Sequence, residues 1–295
     1  MNEILMVDKR QARRAFEKAA SSYDQVAILQ REIGQRLLER LEFIRYVPKQ
    51  MLDVGAGTGY CTLKLHRHFP KAKLFALDMA HNMLVLTRRR MPYWARLRRR
   101  CGFIVGDAES LPLADASVDM IFSNLTVQWC NDLPRVFAEF KRVLAPGGML
   151  LFTTFGPDTL RELRESWRDV DGFSHVNGFF DMHDIGDALL HAQFAEPVMD
   201  VERLTMTYPD VMTLMRDLKQ LGAHNVTQHR NRGLTGRHRL QQLQQAYETY
   251  RQGGVLPVSY EVIYGHAWVA QSQPVRMESK TVTIPLASLQ RESQK

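Results

Sequence analysis

Short apolar runs alternate with amphipathic stretches over the part of the chain that follows residue 50. Runs of about four to eight apolar residues are typical of buried strands, and apolar residues at every third or fourth position are typical of helices. The runs predict strands at residues 51–54, 74–77, 103–105, 118–123 and 149–155. The intervening stretches predict helices at residues 60–69, 80–90 and 135–144. This alternation predicts an α/β fold whose parallel sheet carries helices on both faces.

The regions before and after this alternation are predicted to form an arm and a cap. Apolar residues at every third or fourth position from Val26 to Ile44 predict one amphipathic helix within an arm of residues 1–47. Beyond the fifth strand we predict helices at residues 183–194, 210–221 and 237–251, and strands at 198–208 and 259–270. The main domain then spans residues 48–271 with a helical cap inserted at about 209–252, and residues 272–295 form a mobile tail.

Length and composition narrow the class of protein. A chain of 295 residues with 45% apolar content can bury one core with an appended subdomain. No apolar run approaches the roughly 20 residues of a bilayer span, and the first residues lack a signal-peptide pattern. Cys61, Cys101 and Cys130 have no paired spacing, which fits a reducing compartment without a disulfide framework or a zinc cluster. We therefore expect a cytoplasmic protein with no metal and no membrane partner.

The net charge of +7 is distributed unevenly along the chain. The basic residues fall into an 88–100 cluster, a 230–239 cluster and a 10–18 cluster. These contain Arg88, Arg89, Arg90, Arg96, Arg98, Arg99 and Arg100; Arg230, Arg232, Arg237 and Arg239; and Arg10, Arg13, Arg14 and Lys18. Such clusters attract phosphate, nucleic acid or an acidic protein partner. Solvated helix faces are the alternative explanation.

Three glycines, Gly55, Gly57 and Gly59, follow the first predicted strand and precede a predicted helix. Glycines in such a loop bring bare backbone against a ligand, because no Cβ atom blocks the approach. The dinucleotide fingerprint needs its third glycine three residues after the second, where this chain has Tyr60. The spacing therefore favours a nucleoside ligand that lacks a pyrophosphate. A structural turn without a ligand is the alternative.

Two acidic residues come at the ends of the next two strands. Asp78 ends the second strand, where a carboxylate can accept both ribose hydroxyl hydrogens. Asp107 follows the third strand and can accept a hydrogen bond from an adenine amino group. Either acid alone is compatible with a helix cap. Together with the glycine loop they lie at the carboxyl edge of the sheet, where open α/β sheets bind ligands.

These motifs resemble the Rossmann-like class of S-adenosylmethionine-dependent methyltransferases. The resemblance rests on residues 53–59, Asp78, Asp107 and residues 142–148. It implies a Rossmann-like seven-stranded sheet whose last strand is antiparallel, with S-adenosylmethionine as the cofactor. The cofactor-binding residues that it implies are Asp53, Gly55, Gly57, Gly59, Asp78, Met79, Asp107, Ala108 and Asn124.

A narrower resemblance covers the chain from about Arg13 to Ala270. Residues 15–24, 106–113, 123–130 and 218–225, followed by Leu234 and Thr235, are similar to the malonyl-acyl carrier protein O-methyltransferases of biotin synthesis. The resemblance implies methylation of the free carboxylate of malonyl-acyl carrier protein, which allows its elongation toward pimeloyl. The 88–100 cluster is longer than the family pattern and the residues after Ala270 are extra. Both departures concern partner contacts rather than the chemistry.

The implied reaction needs positioning more than acid–base catalysis. A malonyl carboxylate is already ionised at neutral pH, so no general base is required. In-line methyl transfer then depends on orientation and on exclusion of water. The residues expected to orient the acceptor are Tyr23, Asn124, Gln128, Trp129 and Lys219. Tyr23 is the expected hydroxyl donor, and Lys219 or an arginine beside Asn225 the expected positive charge; packing roles are the alternative.

The basic clusters are expected to dock acyl carrier protein, which is strongly acidic. A nucleic-acid methyltransferase is a rival interpretation, but residues 124–127 lack the Asn-Pro-Pro-Tyr pattern used on exocyclic amines. No separate RNA-binding module is evident, so we expect no nucleic-acid partner. Two further alternatives are a methyltransferase of a quinone precursor or small acid, and an assembly factor that binds the nucleoside but acts on a partner protein.

Overall fold

The computed structural model describes residues 6–227, 233 and 235–271. In this part of the chain seven strands form one sheet. They are β1 Gln50–Val54, β2 Lys73–Asp78, β3 Cys101–Val105, β4 Val118–Asn124, β5 Leu144–Phe155, β6 Ala195–Tyr208 and β7 Leu256–Trp268. The order is β3-β2-β1-β4-β5-β7-β6. Strands β1 to β5 are parallel, and β7 is antiparallel to both of its neighbours. The Rossmann-like seven-stranded sheet with an antiparallel last strand, predicted from the sequence, is confirmed.

Eleven α-helices flank the sheet within the same described ranges. They are α1 Lys9–Ala19, α2 Tyr23–Val26, α3 Ile28–Arg40, α4 Tyr60–His68, α5 His81–Arg90, α6 Tyr93–Leu97, α7 Leu133–Val143, α8 Arg161–Arg168, α9 Met182–His191, α10 Val211–Gln220 and α11 Arg237–Glu248. Aspartate side chains at Asp8, Asp132, Asp181 and Asp210 accept hydrogen bonds from the first turns of α1, α7, α9 and α10. These caps satisfy backbone donors that have no partner inside a helix. None of the described helices is long and apolar enough to span a membrane.

Alternate side chains of the central strands pack on opposite faces of the sheet. Met51 belongs to an apolar cluster with Leu37 of α3, whereas the next residue, Leu52, belongs to a cluster with Phe137 of α7. This follows from the two-residue period of a strand. Helices therefore cover both faces, and the carboxyl ends of β1, β2 and β4 remain open for a site.

Some elements differ from the sequence predictions. The single helix expected from Val26 to Ile44 is divided, because Ala27 has a non-helical ψ of 44° between α2 and α3. Strand β5 begins five residues earlier than Met149, directly after α7, with a register shift against β4. Helices α6 and α8 were not predicted. Helix α8 follows Leu160, which has a left-handed φ of 56°.

Helix α3 approaches the sheet closely at Gly34. A Cβ atom at this position would lie 2.5 Å from Cys61 Sγ and 3.1 Å from Asn124 Nδ2. The missing side chain therefore lets the helical arm pack directly against α4 and the end of β4. Helices α10 and α11 lie between β6 and β7, in the segment expected to form a cap. The expected tail, residues 272–295, falls outside the described residues, as do Arg230 and Arg232.

Candidate functional site

The glycine loop between β1 and α4 is fixed by hydrogen bonds to the end of β2. The amides of Gly55 and Ala56 donate to Leu77 O over 2.8 and 3.0 Å. The Gly57 amide donates to Asp78 Oδ2 over 2.8 Å, and the Ala80 amide donates to Asp78 Oδ1 over the same distance. Asp78 therefore holds the loop and the start of α5 together.

The three glycines of the loop face different surroundings. A Cβ atom at Gly55 would lie 1.8 Å from Thr126 Oγ1, and one at Gly59 would lie 2.7 Å from Thr87 Cγ2. A Cβ atom at Gly57 would meet nothing within 4 Å. All three have positive φ angles, which favour glycine. Gly55 and Gly59 are therefore required by neighbouring protein atoms, whereas Gly57 leaves free space at a cavity that it lines.

Most of the residues predicted for the site meet around this cavity, which we call the first cavity. Those that line it are Asp53, Gly55, Gly57, Asp78, Met79, Asp107, Ala108, Asn124, Tyr23, Gln128 and Trp129. Gly59 and Lys219 are not among its lining residues. Arg31 of α3 also lines the first cavity, although no sequence motif pointed to it. The carboxyl edge of the sheet thus brings together residues that are far apart in the chain.

Two carboxyl groups in the first cavity are deeply buried. Burial raises the pKa of Asp53 to about 7, although the Thr62 hydroxyl donates to it. Burial raises the pKa of Asp78 to about 6, against the opposing effect of the Ala80 and Gly57 amides. Loss of water disfavours the charged form of a carboxyl group. Either group would be stabilised as a carboxylate by a ligand that brings a cation or hydroxyl donors.

Lys9 of α1 forms ion pairs with two acidic residues at one end of the first cavity. Its Nζ lies 2.8 and 2.7 Å from the two carboxylate oxygens of Asp107 and 2.7 Å from Glu109 Oε2. Burial opposes the charge of Lys9, but the hydrogen bonds that its ammonium donates to these carboxylates raise its pKa overall. Sequence reasoning missed Lys9, because the contact joins residues 98 positions apart and leaves no local signal.

The N-terminal arm is fastened over the first cavity by further polar contacts. Asp24 Oδ1 accepts a hydrogen bond from Thr58 Oγ1 over 2.6 Å, and its other oxygen pairs with Arg90. Glu17 accepts from the amides of His81 and Asn82, at the start of α5, over 2.7 and 2.8 Å. Burial of Tyr23 raises its pKa well above the usual range, so the hydroxyl stays protonated. The arm is therefore attached to the glycine loop and to α5, and it contributes the Tyr23 hydroxyl to the lining of the first cavity.

The end of β4 separates the first cavity from a second one. Asn124 Nδ2 donates to Gln30 O over 3.0 Å, while Asn124 Oδ1 accepts from Thr153. Gln128 Oε1 accepts from the Phe155 amide over 3.1 Å, which leaves its amide nitrogen as the donor. Trp129 and Gln128 line both cavities. Asn124 is thus occupied by the protein, whereas Gln128 keeps donors for a ligand.

The second cavity adjoins the first along a shared wall. The residues that line both cavities are Gln30, Gln128, Trp129, Phe155, Leu221 and Ala223. Beyond the wall its lining is largely apolar and comes from α8, α10, β7 and the loops around residues 176 and 225. Lys219 does not line this cavity either. Two pockets that meet at a wall with an amide donor can hold two reactants side by side.

The class of protein follows from comparison of this fold with known proteins. A family model described as a methyltransferase domain matches residues 52–152. The structure of the YcgJ protein from Bacillus subtilis has a TM-score of 0.55 at 19% identity, covering 80% of this chain and 98% of that one. Phosphoethanolamine N-methyltransferase 2 from Haemonchus contortus, solved in complex with S-adenosyl-L-methionine, has a TM-score of 0.51 at 16% identity, covering 86% and 57%. The fold is that of a methyltransferase.

The family follows from a more similar protein. The malonyl-[acyl-carrier protein] O-methyltransferase of Nitrosospira multiformis is 51% identical over 274 residues, which cover 89% of each chain. This chain therefore belongs to the malonyl-[acyl-carrier protein] O-methyltransferase family. The family predicted from residues 15–24, 106–113, 123–130 and 218–225 is confirmed.

Proposed function

We propose that this protein transfers the methyl group of S-adenosylmethionine to the free carboxylate of malonyl-acyl carrier protein. The product is the malonyl methyl ester that leads to the pimeloyl moiety of biotin. The observation that carries the proposal is the wall shared by two cavities, one lined by the glycine loop and its acids and the other largely apolar. Membership of the family supports the choice of acceptor.

The residues of the first cavity fit S-adenosylmethionine. The open space at Gly57 is a cradle that any side chain would fill. Arg31 and Asp53 offer opposite charges to the carboxylate and ammonium groups of the methionine part. Asp78 offers acceptors to the ribose, and Asp107 with Ala108 lies where the adenine is expected. When bound, the cofactor supplies an electrophilic methyl group on a sulfonium.

The shared wall supplies donors for the acceptor carboxylate. The amide nitrogen of Gln128 is left to donate because its oxygen accepts from Phe155. The Tyr23 hydroxyl remains protonated because burial raises its pKa. The acceptor carboxylate needs no base, since it is ionised at neutral pH. Attraction between carboxylate and sulfonium is strongest where water is excluded, so the arm over the first cavity promotes the reaction.

The acyl carrier partner is proposed to dock beside the second cavity. Asn225, which precedes the 230–239 cluster, and Thr235, which lies within it, both line that cavity. The 88–100 cluster reaches the opposite edge of the sheet, because Arg100 precedes β3 and donates to Pro70 O just before β2. A carrier whose prosthetic arm enters the second cavity is therefore better placed on the 230–239 cluster, of which Arg230 and Arg232 lie outside the described residues.

A panel of acceptors tests the proposal. Purified protein is given S-adenosylmethionine with a labelled methyl group and either malonyl-carrier protein, acetyl-carrier protein, free malonate or a quinone precursor. The expected result is labelling of malonyl-carrier protein and no labelling of acetyl-carrier protein, which lacks the carboxylate. Labelling of the quinone precursor alone would support a different methyltransferase. Cofactor binding without labelling of any acceptor would support a binding role.

A further inference from the structure

The second cavity has a charged network in its otherwise largely apolar wall. The ring of His175 stacks on Trp167, with centroids 3.6 Å apart and planes within 5°. His175 Nε2 lies 2.7 Å from Asp171 Oδ1. Asp171 Oδ2 lies 3.5 Å from Arg239 Nη1 of α11, and no hydrogen bond to it forms within the described part of the chain. The ring is thus held on one face and at one nitrogen.

Burial of this charged network destabilises the fold unless the charges are paired or bind a ligand. The side chains of His175 and Asp171 are only 13% and 8% exposed. Burial opposes ionisation of Asp171, but hydrogen bonds from His175 and the Phe173 amide lower its pKa below the usual 3.8. Buried charges destabilise a fold unless they are paired. A carboxylate kept ionised behind a cavity-lining imidazole is better explained by a ligand than by packing alone.

The hydrogen bond to Asp171 determines which ring atom remains for a ligand. An ionised carboxylate only accepts, so Nε2 carries the proton in this contact. A protonated ring then donates from Nδ1 as well. A carboxylate ligand at Nδ1 would give the ring a second acceptor besides Asp171, and two such acceptors stabilise the protonated ring. The Arg239–Asp171–His175 network then carries one net positive charge, which complements the anion. Apolar residues that line the same cavity, such as Leu163 and Val176, offer an apolar surface to the uncharged part of the acceptor.

We propose that His175 is the cation that recognises the carboxylate of the acceptor in the second cavity, acting with the Gln128 amide on the shared wall. The inference rests on the proposed function and specifies which residue selects a malonyl over an uncharged acyl group. Asp171 and Trp167 are positioning residues that fix the ring. The role of positive charge that the sequence suggested for Lys219 is then filled by a residue that lines the cavity.

Binding of acyl-carrier proteins to the enzyme loaded with S-adenosylhomocysteine tests this inference. We expect the unmodified enzyme to bind malonyl-carrier protein more tightly than acetyl-carrier protein. His175→Gln should weaken malonyl binding by about 10- to 100-fold, the usual effect of losing a charge-assisted hydrogen bond, and leave acetyl binding unchanged. Asp171→Asn should act in the same direction by a smaller factor. In turnover, KM for the malonyl substrate should rise more than kcat falls.

A matched control comes from His66, which is buried beside Trp94 but lines neither cavity. His66→Gln should leave the preference for malonyl unchanged, and thermal unfolding identifies any variant that fails to fold. The inference is overturned if folded His175→Gln and Asp171→Asn keep the preference. It is also overturned if the preference is abolished by His224→Gln and not by His175→Gln, since His224 lines the second cavity too. If the unmodified enzyme binds S-adenosylhomocysteine but no malonyl-carrier protein, the proposed function itself is wrong.

Discussion

The Gly57 amide donates a hydrogen bond to Asp78 Oδ2 over 2.8 Å, so the carboxylate expected to hold the ribose also shapes the loop that carries the methionine part. Asp78 Oδ1 is occupied by the Ala80 amide. The two halves of the proposed cofactor site therefore form as one unit, because the loop and the acid fix each other.

Gly57→Ala is expected to abolish cofactor binding while leaving the fold intact. The new methyl group meets no protein atom within 4 Å, but it enters the first cavity. Gly253→Ala is a matched control, since Gly253 has a φ of 56° against 55° for Gly57 and is equally open. Both variants should lose about 1–2 kcal/mol of stability for a left-handed backbone. Calorimetric titration with S-adenosylmethionine should show loss of binding only for Gly57→Ala; equal affinities would contradict this placement.

Cofactor affinity is expected to fall in acid because of Asp78. Its pKa is raised from 3.8 to about 6, so the ligand-free protein holds this proton more tightly than the unfolded chain. The free energy of unfolding therefore decreases as pH rises from about 4 to 6.

Ribose hydroxyls donate to the ionised form of Asp78, so cofactor affinity should drop by up to about tenfold per pH unit below 6. Titration with S-adenosylhomocysteine between about pH 5 and 7.5 measures this slope, and Asp78→Asn should reduce it. An unchanged slope in Asp78→Asn would assign the titration to Asp53 instead.

Tyr23→Phe is expected to lower kcat by about 10- to 100-fold with little change in cofactor affinity. The variant removes a hydroxyl donor from the first cavity but keeps the ring that packs there. Tyr23 stays protonated through alkaline pH, so the unmodified enzyme should show no loss of rate from its ionisation up to about pH 9. Single-turnover rates measure the effect. Lys219→Ala, tested in parallel, examines the remaining sequence prediction; a larger loss in Lys219→Ala than in Tyr23→Phe would contradict the assignment.

Charge reversal is expected to show which basic cluster binds the carrier protein. Arg230→Glu combined with Arg232→Glu should raise KM for malonyl-carrier protein about tenfold at low salt and spare kcat, because long-range attraction affects association. Arg98→Glu combined with Arg99→Glu is the control of equal charge at the far edge of the sheet. Added salt should reduce the difference between the unmodified enzyme and the first variant. A larger effect of the second pair would move the docking surface to the 88–100 cluster.

The sequence predicts those parts of the fold that local patterns specify. The end of β1 at Val54 and the end of β2 at Asp78 follow directly from an apolar run that meets a glycine or an acid. The division of the helix at Ala27 does not, because neither glycine nor proline marks it. Helix α8 was missed because Leu163 and Trp167 are its only buried apolar residues, and two such residues do not make a helical pattern.

Site residues at the strand ends were predictable from the sequence, whereas site contacts between residues distant in sequence were not. Asp78 and Asp107 were found because each follows a strand at the carboxyl edge. Lys9 and His175 were missed, because the contacts of Lys9 with Asp107 and of His175 with Trp167 depend on tertiary packing. Lys219 carries the expected charge and lies in the family motif, but Met215 and Leu218 of α10 line the second cavity whereas Lys219 lines neither cavity.

The most direct measurement is the mass of malonyl-carrier protein after incubation with this protein and S-adenosylmethionine, followed by fragmentation of the prosthetic arm. We expect a gain of one methylene unit on the malonyl carboxyl group, with S-adenosylhomocysteine as the second product. An unchanged malonyl group, or a methyl group found elsewhere on the carrier, would contradict it.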